Sequence, residues 1–348
     1  MPAPGDALDT LGMWDATAAL PEQVRDAAAT ARQLDVALPR REEIRHVVVL
    51  GMGGSGIAGD VVREIAGPFM AVPVVVHKGY GIPNFIDGST LVFAVSFSGN
   101  TEETVQAASD AAAAGGRMCV ISAGGELAAL AREWGAPHVP VDPGIPMPRA
   151  GIGAVAVPPL VLLERIGLFP GASAWVDAAV DQLRRRRDRL VVAGSEAERL
   201  ARRLDRQIPL VYGGGGLGGL AAMRWKNQIN ENAKTAAFWN VLPELCHNEL
   251  AGWGQHGDVT RQVLRLVNLR HDYEHPQVMR RFEVVSELTE EVVAEIEQVR
   301  AEGEGALAQV LDLVLFGDFV SLHLAFIGDV DPGPIPALDY VKERVAAG

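Results

Sequence analysis

Short apolar runs alternate with glycine-rich turns and helical stretches along most of this 348-residue chain. The clearest unit is HVVVLGMGGSGIAGDVVREI at 46–65, which predicts a strand, a glycine-rich turn and a helix. The same pattern returns at 89–115, at 117–135 and, in the second half of the chain, at 208–234. Alternation of this kind is typical of βαβ units around a parallel sheet, so the predicted fold class is α/β.

Each half of the chain opens with a strand, a glycine-rich turn and a helix, which indicates a weak internal duplication. We predict two α/β sandwich subdomains, each with a mostly parallel sheet flanked by helices. The predicted parts are an N-terminal helical segment at 1–39, a first domain at 40–170, a connecting helix at 171–205 and a second domain at 206–348. Within the second domain we expect a strand at 262–270 and helices at about 288–303, at 305–327 and at 335–346.

Composition excludes several classes of partner. The net charge of −13 and the pI of about 5.1 argue against a nucleic-acid or anionic-membrane partner. The two cysteines, Cys119 and Cys246, are far apart, so neither a zinc site nor a disulfide framework is indicated. The N-terminus lacks the basic and apolar regions of a signal peptide, and the apolar runs are interrupted by polar residues or proline. We therefore expect a cytoplasmic protein that does not cross a membrane.

The turn LGMGGSGIAG has the Gly51-x-Gly53-x-x-Gly56 spacing of dinucleotide-binding folds. An NAD site also requires an acidic residue at the end of the next strand, but that strand ends in His77-Lys78-Gly79. The missing acidic residue therefore disfavours NAD but does not exclude NADP. We expect no cofactor. The turn can still bind a phosphate, because glycines expose backbone N–H groups at a helix start, and Ser55 adds a hydroxyl.

A second polar turn, SFSGNTEET at 96–104, also follows a strand and opens a helix. Ser96 and Ser98 lie two residues apart, on one side of an extended segment, and Thr101 adds a hydroxyl at the helix start. Asn100 and Glu103 have the spacing of a capping box, so plain helix capping is the alternative interpretation. A cluster of hydroxyls beside a glycine-rich turn favours a site for a phosphate monoester.

GMGGSG, SFSGNTEET and the two-part layout resemble the SIS (sugar isomerase) domain proteins. RWKNQINENAK, PELCHNELAGW, GDFVSLHLA and DPGPIPALDYVKERV resemble segments of the bifunctional phosphoglucose/phosphomannose isomerase family. The resemblance covers nearly the whole chain from about residue 40, and NENxK followed by PELxHNE is its most specific part.

The resemblance implies a metal-independent isomerase that interconverts glucose 6-phosphate, and also mannose 6-phosphate, with fructose 6-phosphate through an enediolate. One carboxylate suffices to move a proton between C1 and C2, and a fixed cation can stabilise the enediolate. The implied phosphate-binding residues are Gly53, Gly54, Ser55, Ser96, Ser98 and Thr101. The implied catalytic residues are Glu231 as base, His247 and Lys342 for ring opening, and Arg149 for the enediolate. The family also implies a homodimer in which His247 reaches the neighbouring subunit's site.

The chain departs from the family pattern at two positions near the implied site. Cys246 stands where the family has Asn, and Gly333 stands where it tends to have Thr, which leaves the epimer preference open. Two other functions remain as alternatives: a non-catalytic SIS-type sugar-phosphate sensor, and an amino-sugar phosphate isomerase. The short, non-basic N-terminus argues against the sensor, and the NENAK and PELCHNE segments argue against the second alternative. We expect structural roles for Lys226 and Lys234, and a core or rim position for His323. For Glu244 and Glu249 we expect either a structural role or support of the residues that contact the substrate.

Overall fold

The structure is a computed structural model that describes residues 8–346. Residues 1–7 of the predicted N-terminal segment and residues 347–348 of the predicted second domain lie outside the described residues. The strands are β1 His46–Leu50, β2 Val74–His77, β3 Thr90–Val95, β4 Arg117–Ser122, β5 His138–Pro140, β6 Ile208–Gly214, β7 Phe238–Leu242, β8 Leu264–Arg270 and β9 Ile296–Arg300. The helices are α1 Met13–Ala18, α2 Leu20–Gln33, α3 Gly53–Ile65, α4 Glu102–Ala113, α5 Gly125–Glu133, α6 Ile152–Ile166, α7 Ala172–Leu190, α8 Glu196–Leu204, α9 Gly215–Ala233, α10 Gly257–Val263, α11 Pro276–Thr289, α12 Ala306–Ile327 and α13 Pro336–Ala346.

The chain divides into two compact units, which we describe separately. The first unit comprises residues 18–186 and 301–312, and the second comprises the described parts of residues 1–17, 187–300 and 313–348. The domain boundaries given above stay predictions.

The first unit is built on a five-stranded parallel sheet with the order β2-β1-β3-β4-β5. Its central strands are almost wholly apolar, and β3 is buried along its entire length. Parallel strands buried on both faces need such continuous apolar runs, because helices cover each side of the sheet. The chain passes from β1 to β2 on one side and then to β3 on the other, so the strand order reverses between β1 and β3.

The second unit is built on a four-stranded parallel sheet with the order β7-β6-β8-β9. This order reproduces that of the first sheet without its last strand, as an internal duplication requires. Its core joins apolar side chains of the strands to those of α11, including Phe282 and Val285. The predicted fold class, two α/β subdomains with parallel sheets, is confirmed.

The predicted helix at about 288–303 is wrong. Residues 276–289 form α11, and residues 296–300 form the edge strand β9, which pairs in parallel with β8. The segment is rich in Glu and has apolar residues three or four apart, both of which favour a helix. Pairing with β8 overrides that preference, and Arg265 on β8 bonds Glu297 of β9 at 2.8 Å. The strand β7 was not predicted either.

Residues 171–205, predicted as a connecting helix, contain the two arginine-rich helices α7 and α8, and not all of their arginines are exposed to solvent. Arg186 is 3% exposed and lies near Glu302 at 2.5 Å and Asp312 at 3.6 Å. Burial raises the pKa of the Asp312 carboxyl, against the opposing effect of Arg186. Within the described residues one helix, α12, is long and apolar enough to cross a membrane, but 89% of its most apolar window is buried in the protein, as in a core helix.

Candidate active site

The glycine-rich turn at 51–56 lies at the carboxyl end of β1, where the strand order reverses. Ligands of open α/β sheets bind at such a reversal point, because the loops on either side diverge there. A Cβ on Gly51 would lie 2.8 Å from the Val95 carbonyl oxygen, so only glycine lets the turn approach the end of β3 this closely. The residue before α3, Met52, provides no side-chain hydrogen bond to the helix start, which leaves that end suited to an anion.

The predicted phosphate-binding hydroxyls lie on this turn and on the neighbouring turn after β3. The Ser55 hydroxyl accepts a hydrogen bond from the Phe97 N–H at 2.9 Å, which joins the two turns. Ser98 is exposed, and its hydroxyl accepts from the Asn100 N–H at 3.2 Å. Ser96 is fully buried, and its hydroxyl lies 2.9 Å from that of Thr101. The Ser98 hydroxyl can therefore contact a ligand directly, whereas the buried Ser96 hydroxyl stabilises the turn through hydrogen bonds within it.

The capping box suggested by Asn100 and Glu103 does not form. Helix α4 begins after Thr101, whose side chain makes no capping hydrogen bond. The Asn100 side chain instead accepts from the Glu126 N–H at 2.9 Å, so it caps the start of α5. The turns after β3 and β4 are thus tied together, a link between distant residues that local sequence spacing could not reveal.

Arg149 lies on a short 3₁₀ turn before α6, and its backbone packs against the glycine-rich turn. A Cβ on Gly54 would lie 3.2 Å from the Arg149 backbone nitrogen, which is tighter than an ordinary contact. The Arg149 side chain is 2% exposed. A buried guanidinium competes with little water, so its charge acts more strongly on a nearby oxyanion than a solvated one would.

Glu231 occupies the last turn of α9 in the second unit and is half-buried. Lys234 ends this helix in the left-handed conformation, with φ of 53°. Its ammonium group donates to the carbonyl oxygens of Glu231 at 2.7 Å, Asp331 at 3.0 Å and Pro332 at 3.2 Å. This single cation therefore neutralises the helix end and ties it to the segment that precedes α13.

The asparagines beside Glu231 fix the same helix end. Asn230 donates to the Thr235 carbonyl oxygen at 2.8 Å, and the fully buried Asn232 donates to the Ser321 hydroxyl on α12 at 2.9 Å. Asn is a poor helix former, and these directed hydrogen bonds explain why the sequence uses it twice here. In the structure these amides anchor the helix turn that carries Glu231.

Lys342 lies on α13, whose side chains are exposed from Pro336 to Val345. Within residues 8–346 its ammonium group makes no hydrogen bond or ion pair with another side chain. The Gly333 departure has a local explanation in the turn before this helix. A Cβ there would lie 2.8 Å from Leu11, so a larger side chain would require Leu11 to move.

His247 is exposed at the junction of two 3₁₀ turns, Glu244–His247 and Glu249–Gly252. Within the described chain its imidazole makes no hydrogen bond or ion pair. The adjacent Cys246 is only partly exposed, and burial raises the pKa of its thiol. The imidazole is therefore available to a group outside its own turn.

The glycine-rich turn of the second unit is tight, not loosened by its many glycines. A Cβ on Gly213 would lie 2.0 Å from the Gly218 carbonyl oxygen. The His271 Nε2 donates to the Gly214 carbonyl oxygen at 2.7 Å, and burial lowers the pKa of His271. A neutral, buried imidazole therefore closes this turn from the side of β8, in contrast to the serine-lined turn of the first unit.

No group of three or more His, Cys, Asp or Glu side chains suited to a metal ion occurs among residues 8–346. Residues 42–140 match the SIS domain family, and residues 193–345 match the family described as the bacterial phospho-glucose isomerase C-terminal SIS domain. Together with the two parallel sheets, these matches define a protein with two sugar-isomerase domains.

Relatives and solved structures narrow this class. The chain is 34% identical to a bifunctional phosphoglucose/phosphomannose isomerase of Caldicellulosiruptor bescii over 96% of this chain and 99% of that one. It is also 30% identical to a D-glucosamine-6-phosphate 4-epimerase of Sulfolobus acidocaldarius, over 61% of this chain and 65% of that one. A hypothetical protein of Thermus thermophilus shares the fold, with a TM-score of 0.74 and 16% identity over 97% of this chain and 90% of that one. The chain belongs to the bifunctional phosphoglucose/phosphomannose isomerase family.

Proposed function

We propose that this chain interconverts glucose 6-phosphate and mannose 6-phosphate with fructose 6-phosphate, without a metal ion and through an enediolate. The observation that carries the proposal is the similarity, over 96% of the chain, to a relative named for both activities. The chain also contains the carboxylate, the imidazole and the cations that such a reaction needs, at the positions of the family motifs.

The proposal assigns phosphate binding to the first unit. The backbone N–H groups of Gly53, Gly54 and Ser55 at the start of α3 bind the phosphate oxygens, and the exposed Ser98 hydroxyl adds a donor. Support comes from the hydrogen bond between Ser55 and Phe97, which holds the two turns in one arrangement before substrate arrives. Such preorganisation lowers the entropic cost of binding.

Glu231 is the proposed base, which takes a proton from one of C1 and C2 and returns it to the other. Its helix turn is anchored by Lys234 and by two asparagine side chains, so the carboxylate starts from a fixed backbone. Arg149 is the proposed stabiliser of the enediolate oxygens, and its burial supports that role. Neither step needs a Lewis acid.

His247 and Lys342 are proposed to move protons at O1 and O5 while the sugar ring opens. Imidazole suits this role because its usual pKa lies near neutrality. We also propose a homodimer in which His247 serves the neighbouring subunit's site. The support is that His247 is exposed and has no hydrogen-bond partner within the described part of its own chain.

A subunit-complementation experiment tests the two central assignments together. Glu231→Gln and His247→Asn chains carrying different affinity tags are co-expressed, and the mixed dimer is purified through both tags. If His247 acts in the partner's site, the mixed dimer has one intact site of two, and shows about half the wild-type activity. Each variant alone should be inactive, with wild-type circular dichroism and melting temperature.

An inactive mixed dimer would contradict the exchange of His247 between subunits, and an active Glu231→Gln homodimer would contradict the assignment of the base. A wild-type protein that gains thermal stability with fructose 6-phosphate but does not turn it over would instead be a sugar-phosphate-binding protein. Activity retained in EDTA is expected, and loss of activity that added metal restores would contradict the metal-free mechanism.

A further inference from the structure

The segment that carries His247 has few apolar anchors of its own. Its two 3₁₀ turns meet at Asn248, which has φ of −148° and ψ of −65°. Leu245 is the fully buried side chain of the pair of turns and packs in the core of the second unit. The remaining residues from 243 to 252 are half-buried or exposed. A segment with so little apolar burial opens easily unless polar contacts hold it.

Glu249 supplies those polar contacts, and both of its carboxylate oxygens are engaged. Oε1 accepts a hydrogen bond from the phenol of Tyr212, and Oε2 accepts from the Asn240 Nδ2 at 2.5 Å. Tyr212 lies on β6 and is fully buried, and Asn240 lies on the neighbouring strand β7. The Asn240 Oδ1 accepts from the Val241 N–H at 2.8 Å, which directs the amide nitrogen toward Glu249.

The donors of this clamp keep their protons at neutral pH. Burial, followed by the hydrogen bond to Glu249, raises the pKa of Tyr212, so the phenol remains a donor well above pH 7. An amide nitrogen can only donate. Both partners therefore donate to the Glu249 carboxylate, and hydrogen bonds to a carboxylate are among the stronger ones in proteins.

Asn248 connects the clamp to the turn before it. Its Oδ1 accepts from the Glu249 N–H at 2.7 Å, and its Nδ2 donates to Glu244 at 3.2 Å. His247 is thus held from both sides, by Leu245 two residues before it and by Glu249 two residues after it. Without the clamp, Leu245 before His247 and the partly buried Leu250 and Trp253 after it would still pack against the core, but the hydrogen bonds that tie the second turn to β6 and β7 would be lost.

We infer that Glu249, held by Tyr212 and Asn240, is a positioning residue that fixes His247 where it acts in ring opening. This inference rests on the proposed function, in which His247 opens the sugar ring. In this role Glu249 acts through His247 and not on the substrate itself. Its loss should slow the step that uses His247 and leave the enediolate step, assigned to Glu231, unchanged.

Two substrates separate these steps. Fructose 6-phosphate must open its ring, whereas 5-deoxyfructose 6-phosphate lacks O5 and cannot close one. Exchange of the C1 proton with D2O, followed by NMR, reports enediolate formation for both. We expect Tyr212→Phe and Glu249→Gln to lower kcat for fructose 6-phosphate by about ten- to a hundredfold, with 5-deoxyfructose 6-phosphate almost unaffected. Glu287→Gln, a matched change at an exposed residue of α11 in the same unit, should leave both rates unchanged.

His247→Asn serves as the reference. If it slows only the ring-closed substrate while Tyr212→Phe and Glu249→Gln match the wild type, the positioning role is overturned. Equal losses on both substrates in the clamp variants would also overturn it, because they would mean general damage to the fold. If His247→Asn does not separate the two substrates, the proposed ring-opening role fails, and the inference fails with it.

Discussion

His323 lies on α12 within GDFVSLHLA, one of the segments that resemble the isomerase family, yet its surroundings are those of a core residue. Its side chain is 5% exposed, and the centroid of its ring lies 5.1 Å from that of Trp14, with the two rings nearly perpendicular. Its Nε2 is buried without a hydrogen-bond partner in the described structure. Burial lowers the pKa of His323 from 6.5 to about 4, although Glu198 nearby opposes the shift. The imidazole is therefore neutral at pH 7.

The lowered pKa of His323 determines how the stability of the protein changes with pH. The pKa of His323 is lower in the folded protein than in the unfolded chain, so protonation favours unfolding. The contribution of the neutral His323 to the free energy of unfolding should be fully present above about pH 6.5 and should be lost as the pH drops toward 4. One pKa unit corresponds to about 1.4 kcal/mol, so the full effect is about 3 kcal/mol, of which about 2 kcal/mol develops between pH 8 and pH 5.

Urea denaturation at pH 8 and pH 5, followed by tryptophan fluorescence, measures this difference. His323→Phe keeps a flat ring against Trp14 but cannot bind a proton, so it should lose about 2 kcal/mol less stability than the wild type over that interval. An exposed control, His256→Gln, should keep the wild-type dependence. Identical pH dependence in His323→Phe and the wild type would refute the reasoning. Isomerase activity at pH 7.5 should be unchanged in His323→Phe, as expected for a core residue.

Four further predictions concern the turn after β3, the glycine-rich turn of the second unit and a buried ion pair. Ser98→Ala removes an exposed hydroxyl donor and should raise KM for fructose 6-phosphate about tenfold, with the melting temperature unchanged. Ser96→Ala removes a buried hydroxyl that supports the turn. It should therefore lower the free energy of unfolding, measured by urea denaturation, by about 1–3 kcal/mol. An unchanged KM in Ser98→Ala would contradict the phosphate site. Gly213→Ala places a Cβ 2.0 Å from a backbone oxygen of α9 and should cost about 3 kcal/mol or more, which poor yield of folded protein or a large fall in melting temperature would show. Arg224→Met removes the ion pair between Arg224 and the buried Asp318, 2.7 Å apart, and should cost about 3–5 kcal/mol of stability. A change within about 1 kcal/mol would mean that the pair adds little.

Periodicity predicted the central strands and the glycine-rich turns of both sheets, because buried parallel strands need continuous apolar residues and tight turns need glycine. It failed at 288–303, where helix-favouring residues pair along the edge of a sheet through Arg265 and Glu297. It did not predict β7, because this edge strand is short and its first two side chains, Phe238 and Trp239, are exposed, so it lacks the buried apolar run of a central strand. Whether such a segment forms a strand or a helix depends on the strands beside it, and the positions of those strands cannot be read from a single sequence.

The candidate site was also predicted only in part from the sequence. Family motifs predicted which side chains to examine, and the structure assigns distinct environments to them: Ser96 is buried and Ser98 is exposed. The burial of Arg149 and the capping of α5 by Asn100 depend on contacts between residues distant in sequence. The clamp on Glu249 depends on Tyr212, 37 positions away. Local spacing carries no signal for any of these contacts.

The most direct test of the proposed function is the turnover of fructose 6-phosphate by the purified protein in EDTA. Glucose 6-phosphate and mannose 6-phosphate are measured separately by coupled enzymes added after the reaction is quenched, with Glu231→Gln as the control. We expect both products from the wild type and neither from the variant. Formation of neither product by a folded wild-type protein that still binds fructose 6-phosphate would contradict the assignment of an isomerase.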